Sequence, residues 1–508
     1  MRNKNNTLLA LPFVAMVFFA FYGIRSRSMW LDEAFTVLAS FRSLSGVINE
    51  IKYDSAPPLY YMVLSLWSGL FGMGETAVRG LSGMFYIANV FVMYLLAKSL
   101  LKSRYAGYLA ALLFMASPLA IRHAQNARMY SLLSLLAALS IYCFFRIVRD
   151  GAEKKAVAVY LAVNVLGTFT HYWFWFPLFG QGVAALLLYR RQFLKVFAFT
   201  TLSVVPFFVL WAPVVAAQRQ RCGTTWIPKP GAAVFYQTVA DFYGRGTSGY
   251  LVLAVFVLLV LVNIAMPFRL KLTPARKILD QAGEKINLAL IVIIAISLLL
   301  AFAVSHALQP VFIVGRYTIA VLPAFTLLVV SFLSKTANPV LTVIVCFFLV
   351  AGSGAGLLVS RNQVAAESDR NTATELINRA EMGDAIIYTS LSHAAVEYYL
   401  KLFGKDAFFK RYSFPMELMQ HMGWRDIPGM LSQKDSLLVE ADSLVGRLKQ
   451  DLGAGNGVWL LYGYDVEVSA PVKEALDAGM VQTMELPVAG PFHKKIFVYK
   501  KKPLLSRF

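Results

Sequence analysis

The chain has 508 residues, of which 58% are apolar and only 15% charged, with 48 Lys and Arg against 28 Asp and Glu. That balance excludes a water-soluble globular enzyme and describes a polytopic membrane protein. The net charge of +20 is accounted for by basic loops next to anionic lipid, so membrane lipid is implied as a partner and nucleic acid is not.

In chain order, apolar runs able to cross about 30 Å of hydrocarbon recur from Thr7 to about Leu358, about eleven in all at roughly 20 residues each. The first, Thr7 to Ile24, follows Arg2 and Lys4 and is too long for a signal-peptide core, so it reads as a retained helix. An outer segment over residues 25–78 comes next, with Trp30-Leu31-Asp32-Glu33, Asp54 and Pro57-Pro58-Leu59-Tyr60-Tyr61. Within it, Leu59 to Phe71 is short for a crossing and suits a helix lying in the interface. Alternate later loops carry Lys98, Lys102 and Arg104; Arg146, Arg149, Lys154 and Lys155; Arg190, Arg191 and Lys195; Arg269, Lys271, Arg276 and Lys277; and Lys335. These loops and the N-terminus are therefore expected in the cytoplasm. The segments Arg25 to Arg79, Arg122 to Arg128, His171 to Trp175, Ala216 to Gly249 and His306 to Tyr317 then lie outside. An odd number of crossings puts everything after about Val359 there too.

Residues 1–360 thus read as a transmembrane domain and 361–508 as a polar extracytoplasmic one. In the second, Glu367 to Ala380 and Ser392 to Phe403 predict helices, while Asp384 to Thr389, Gly457 to Tyr462 and Lys495 to Lys500 predict strands of a small α/β domain. Its Gly453-Ala454-Gly455-Asn456-Gly457 stretch follows a helix and precedes a strand, the reverse of a phosphate-cradling loop, and reads as a turn. Trp424, Tyr462 and Tyr464 could line a carbohydrate surface or simply pack the core. Cys143, Cys222 and Cys346 form neither a disulfide framework nor a metal-ligand pattern.

Charge at membrane depth is costly and is seldom kept without a use. His123, His171 and His306 fall at three helix ends on the outer face, the same face as Asp32, Glu33 and Asp54, which suggests one site there. Singly, each His reads equally as a cap or a solvent contact, and Asp32 and Glu33 could pair with Arg25 or Arg27.

Together, Asp32-Glu33, Pro57-Pro58-Leu59-Tyr60-Tyr61 with Gly72 and Arg79, Asn126-Ala127-Arg128-Met129-Tyr130, Thr170-His171-Tyr172, and Arg316-Tyr317 with Pro323 resemble an ordered set of family motifs. The family is the bacterial branch of the protein O-mannosyltransferase-like (dolichyl-phosphate-mannose-protein mannosyltransferase-like) enzymes of the GT-C glycosyltransferase superfamily. Its relatives include the aminoarabinose transferases that modify lipid A. The resemblance covers the whole membrane portion and extends more loosely to the polar domain. It implies a mainly α, GT-C-type helical membrane domain with juxtamembrane helices in the first outer loop, plus a small C-terminal α/β extracytoplasmic domain. It also implies transfer of a sugar from a polyprenyl-phosphate-linked donor to a glycan, lipid or protein acceptor at the outer face of the cytoplasmic (inner) membrane.

Such a transfer needs a base for the acceptor hydroxyl and a cationic clamp for the departing phosphate. By the resemblance, Asp32 is the base or metal-proximal carboxylate, and Glu33 orients it or the acceptor. Arg316 with Tyr317, and Arg128 secondarily, grip the donor phosphate, as guanidinium geometry suits. Asp54, Tyr60, Tyr61, His123, Asn126, His171 and Tyr172 complete the substrate pocket. Two positions depart from the family pattern: Asn126 stands where relatives carry an acid, and Ala56 where a polar residue precedes the proline pair. A second carboxylate for a divalent cation (Mg, Mn or Ca) is therefore missing, and Asn126 offers only a carbonyl oxygen, which leaves metal dependence open. A lipid or glycan transporter or flippase, and a catalytically degenerate glycan-binding relative, stay as alternatives. Against the transporter, no internal repeat is evident and the polar residues crowd one surface rather than the midplane.

Overall fold

The structure is a computed structural model that describes residues 14–52, 54–221, 227–244, 247–265, 274–336, 339–362, 368–389, 393–416, 430–463, 465–487 and 493–502. Residues 7–13 of the first apolar run, Cys222, Arg269, Lys271, Trp424 and Tyr464 lie outside the described residues.

In chain order, α1 (residues 14–21) is followed by α2 (Leu31–Ser40), α3 (Leu44–Ile51), α4 (Leu59–Phe71) and α5 (Glu75–Leu101). Then come α6 (Arg104–Ala116), α7 (Pro118–Ala124), α8 (Tyr130–Asp150), α9 (Lys154–Thr168), α10 (Trp175–Leu188), α11 (Arg190–Leu210) and α12 (Ala212–Arg221). The helices α13 (Ala233–Tyr243), α14 (Thr247–Ala265), α15 (Pro274–Ala307), α16 (Leu322–Thr336) and α17 (Pro339–Asn362) complete the apolar part. The polar part comprises α18 (Asp369–Arg379), β1 (Ala385–Thr389), α19 (His393–Leu402), β2 (Lys410–Phe414), α20 (Lys434–Asp451), β3 (Gly457–Gly463), α21 (Val466–Gly479), β4 (Val481–Leu486) and β5 (His493–Lys500).

Among the described residues, four helical stretches are long and apolar enough to cross a bilayer: α5, α8, α11 and the Gly283–Ala307 part of α15. Two bent pairs, α6 with α7 at 64° and α13 with Thr247–Asn263 at 97°, bring the number to six if each is one span, and four shorter apolar helices accompany them. Single unbroken helices are thus fewer than the about eleven apolar runs in the sequence, because breaks interrupt the runs. At Ser117-Pro118 the break has a clear cause. Pro118 lacks the N–H a continuing helix needs, and Ser117 instead accepts from Ala120 N–H at 3.4 Å and donates to the Phe242 carbonyl at 2.6 Å.

The residues divide into two compact units. One gathers Ser55–Val63 and Arg79–Gln363 with the helix preceding Arg25; the other gathers Arg25–Asp54, Leu64–Val78 and Val364–Phe508. Most of the first outer loop, which the sequence groups with the membrane domain, therefore packs with the polar C-terminal residues.

In the first unit α8 and α16 are buried almost throughout, whereas α11 turns Leu194, Phe197, Leu202, Phe208 and Leu210 outward, as a lipid-facing helix would. Helix α10 lies closely on α15. A Cβ added at Gly180 would stand 2.9 Å from the Ile293 carbonyl oxygen, so a small residue is required at this crossing. Interhelical hydrogen bonds tie α8, α9, α10 and α11: Ser140 to Asn164 at 2.8 Å, Tyr160 to Gln181 at 3.2 Å and Tyr160 to Thr200 at 3.0 Å.

The second unit is built on a five-stranded sheet of order β2-β1-β3-β5-β4, in which β1 runs parallel to β2 and β3, and β5 antiparallel to β3 and β4. Leu437, Ala441, Leu444 and Leu448 of α20 and Val472 and Leu476 of α21 share one apolar core with Ala385, Ile387, Val458 and Leu460 of the central strands. Asp384 fixes the entry of β3 by accepting from Gly457 N–H at 2.7 Å and from the Trp459 indole at 2.8 Å. Gly455, at φ +92°, makes the turn read from the glycine-rich stretch. Helices α18 and α19 pack on each other, and α19 packs against α2.

Candidate active site

In the first unit, the expected cationic residues converge at the ends of helices. Arg316 follows Gly315, whose φ of +73° is a left-handed conformation that only glycine adopts without strain. The turn is held on several sides. His123 Nε2 lies 3.2 Å from the Gly315 carbonyl oxygen, Gly315 N–H donates to Thr318 Oγ1 at 3.2 Å, and the Arg122–Asp241 ion pair, at 2.9 Å, lies against it. A Cβ at position 315 would stand 2.6 Å from Asp241 Oδ2 and 3.3 Å from Arg122 Nη2, so the ion pair fills the space a side chain would need.

Tyr317 begins a 3-10 turn (Tyr317–Ala320), and its ring lies 4.7 Å from that of His171 and 6.2 Å from that of Tyr130. Tyr130 in turn lies 4.6 Å from the His123 ring. Buried Arg128 reaches the same group: its guanidinium carbon is 6.0 Å from the Tyr130 ring centre, and Nη1 donates to the Tyr61 hydroxyl at 3.2 Å. Its carbonyl accepts from Ser82, which also bonds Tyr60 at 2.8 Å.

His171 joins α9 to α10, and its Nδ1 accepts from Trp173 N–H at 3.0 Å. The imidazole is pushed down to about 3, first by burial and then by the positive charge of Arg128 and Arg316. It is therefore neutral at physiological pH, with Nδ1 the acceptor and Nε2 the nitrogen that bears hydrogen. Arg128 and Arg316 thus place positive charge around a neutral imidazole. Tyr172 is turned elsewhere: its hydroxyl donates to Gln218 at 2.6 Å and accepts from Trp211 at 3.1 Å. Asn126 is buried, and its Oδ1 has no hydrogen-bond partner among the described residues.

In the second unit, Asp32 and Glu33 occupy the first turn of α2, whose ten residues are all buried. Trp30 supplies no side-chain cap there. Asp54 closes the turn after α3, its N–H donating to the Ile51 carbonyl at 3.1 Å, and its charge lies near Glu50, whose carboxyl is raised mainly by burial. Glu75 was not singled out from the sequence, yet its buried carboxylate pairs with the partly exposed Arg370 at 2.6 Å.

Asp241, Gly315 and Gln218 were likewise unanticipated. For Asp241 a signal existed, since it is the sole carboxylate between Ala216 and Gly249 and sits in an otherwise apolar helical pattern. Among the described residues no three His, Cys, Asp or Glu side chains come together as a ready metal-ligand set.

Residues 55–217 match the family model described as dolichyl-phosphate-mannose-protein mannosyltransferase. The fold is shared with ArnT from Cupriavidus metallidurans. The undecaprenyl phosphate-bound crystal structure matches at a TM-score of 0.62 and 13% identity, covering 97% of this chain and 98% of that one. Its apo form matches at 0.63 and 13%, covering 98% of each. No curated protein matches the sequence. The chain is thus a multi-pass membrane protein with the ArnT-like GT-C fold.

Proposed function

We propose that the protein moves one hexose or pentose from a polyprenyl phosphate to a hydroxyl of a glycan, lipid or protein at the outer face of the cytoplasmic membrane, with its N-terminus in the cytoplasm and the C-terminal α/β residues outside. The observation that carries this is the receptor formed by Arg128 and Arg316 around a neutral His171. Guanidinium groups gathered at one place suit a phosphate, whose oxygens they bind with charge-assisted hydrogen bonds. Support for the carrier comes from the ArnT structure, which holds undecaprenyl phosphate.

In this reading Asp32 takes the proton of the acceptor hydroxyl as its oxygen attacks the anomeric carbon, and Glu33 orients it. The bond between that carbon and the phosphate oxygen breaks, and the electron pair leaves with the polyprenyl phosphate. Arg316, Arg128 and Tyr317 stabilise the charge that develops on the phosphate, which is the step where preorganised donors contribute most. His171 adds a neutral donor through Nε2, Tyr61 holds Arg128, and Tyr60, His123 and Asn126 shape the surrounding pocket.

The test is transfer of radiolabelled sugar from a synthetic polyprenyl-phosphate donor by the purified full chain in lipid nanodiscs. Asp32→Asn is expected to abolish transfer with expression and thermal midpoint unchanged, and Arg316→Ala to raise the donor KM at least about 10-fold. A fully active Asp32→Asn protein rules out Asp32 as the base. Mass spectrometry of surface glycans and lipids from a deletion strain would name sugar and acceptor together.

A further inference from the structure

The acidic pair lies in the first turn of α2. Helix α2 starts without a side-chain cap, and Asp32 and Glu33 are neighbours, so their side chains diverge by about 100°. A helix that entered one residue out of phase would present Glu33 where Asp32 belongs. Something must fix where α2 begins.

The five residues that lead into it are gripped at three main-chain atoms, all by side chains of α18 and α19. Arg370 Nη2 donates to the carbonyls of Arg25 at 3.1 Å and Arg27 at 3.3 Å. The Tyr399 hydroxyl accepts from Met29 N–H at 2.7 Å, three residues before Asp32. One carboxylate links the two grips: Glu75 accepts from Arg370 at 2.6 and 2.7 Å and also from the Tyr399 hydroxyl. The Glu75 side chain is only 4% exposed and that of Arg370 33%, and the Arg370 guanidinium lies 5.7 Å from the Tyr399 ring centre. Next to it the Tyr398 hydroxyl donates to the Met73 carbonyl at 2.7 Å, which fixes the chain just ahead of Glu75.

We propose that Glu75, Arg370 and Tyr399 are positioning residues for the acidic pair, through which the C-terminal α/β residues set the placement of Asp32. This rests on Asp32 being the base. The phenol is central because it is donor and acceptor at once. Ionised Glu75 takes its hydrogen, which leaves the phenolic oxygen to receive Met29 N–H. A displacement near 1 Å of a catalytic group can cost on the order of 100-fold in rate without any change in what binds.

The experiment is steady-state transfer by the full chain in nanodiscs, with donor concentration varied and thermal midpoints measured in parallel, for Tyr399→Phe, the double variant Glu75→Gln with Arg370→Gln, Asp32→Asn, and Arg379→Gln as a surface control. Exposed Arg379 pairs with half-buried Glu375 one helical turn away. Tyr399→Phe and the double variant are expected to lower kcat by about 10- to 100-fold with donor KM within about 2-fold of wild type. The double variant removes both charges of the pair together, so its midpoint stays near wild type while kcat does not recover. Wild-type kcat in both variants, a rise in donor KM instead, or a loss that only follows the folded fraction overturns the proposal. If Asp32→Asn is inactive and Tyr399→Phe fully active, the base assignment stands and the positioning role falls; if Asp32→Asn is active, both fall.

Discussion

The arginine-bearing turn of the first unit and the acid-bearing helix of the second are held by opposite means. At Gly315-Arg316 the backbone itself is specified: a φ of +73°, a carbonyl close to His123, and an ion pair packed where a Cβ would stand. At Asp32-Glu33 the backbone is an ordinary helix, and its place comes from side chains that belong to residues 370 and 399. A charge-stabilising group thus sits on a rigid irregular turn, and a proton-accepting pair on a regular element steered from a distance. The first should be intolerant of even one added carbon; the second should tolerate surface change and fail when its remote grip is cut.

The most damaging change on the turn is Gly315→Ala. The added carbon meets Asp241 Oδ2 at 2.6 Å in a left-handed conformation, so the turn must move and take Arg316 with it. We expect kcat/KM for the donor to fall by about 100-fold or more. Activity within about 3-fold of wild type, a difference worth under about 1 kcal/mol, would show that the turn is not rigid and would remove the contrast. Asp241→Asn is milder because an amide still fills the space and still accepts from Arg122. Loss of the charge costs about 1–3 kcal/mol of stability, since the pair is largely but not fully removed from water, and about 10-fold in donor KM. Thermal unfolding and donor titration of the same sample read the two effects separately.

This contrast also decides what could be read in advance. Arg128, His171 and Arg316 stand out in one dimension, because charge or imidazole at the outer end of an apolar run is expensive wherever the helix goes. The same holds for Asp32 and Glu33 as residues, but not for what holds them. Arg370 lies 295 positions from Glu75 and Tyr399 lies 324 from it, and no local period encodes such a pair. Among the strands, β1, β3 and β5 are visible as buried apolar runs. The edge strands β2 and β4 are not: Lys410-Arg411 opens one, and Val481 to Glu485 are exposed in the other, so neither carries the alternation that marks a half-buried strand. Helix α21 also escaped, since it buries only a narrow stripe under a charged exterior. Spans broken at a proline, such as α6 with α7, read as single apolar runs because hydropathy averages over the bend.

His171 sharpens the comparison by its protonation. Its folded value near 3 lies below the usual 6.5, so between those limits the unfolded chain binds a proton that the folded site refuses. Stability therefore falls as pH drops from about 6.5 towards 3, by up to about 1.4 kcal/mol per pH unit from this residue. His171→Asn keeps an acceptor for Trp173 N–H and removes the titration. Its thermal midpoint should lose less than that of the wild type between pH 7 and pH 5, whereas donor binding, which meets an uncharged side chain in both proteins, should keep the same pH profile. An identical slope in the two proteins would mean that the imidazole is protonated in the fold and repels neither arginine.

The smallest expected effect separates the guanidinium from its support. Tyr61 accepts one hydrogen bond from Arg128 Nη1, and Tyr61→Phe removes only that oxygen from a fully buried ring. A hydrogen bond to a charged donor is worth about 1–2 kcal/mol, of which the donor phosphate can restore part by taking the freed N–H. Donor KM should rise by about 3- to 10-fold, with kcat little changed, because the acid side of the reaction is untouched. A change in kcat alone would assign Tyr61 to the proton-transfer half instead. The rigid turn and the steered helix would then share a residue and could no longer be treated as independent devices.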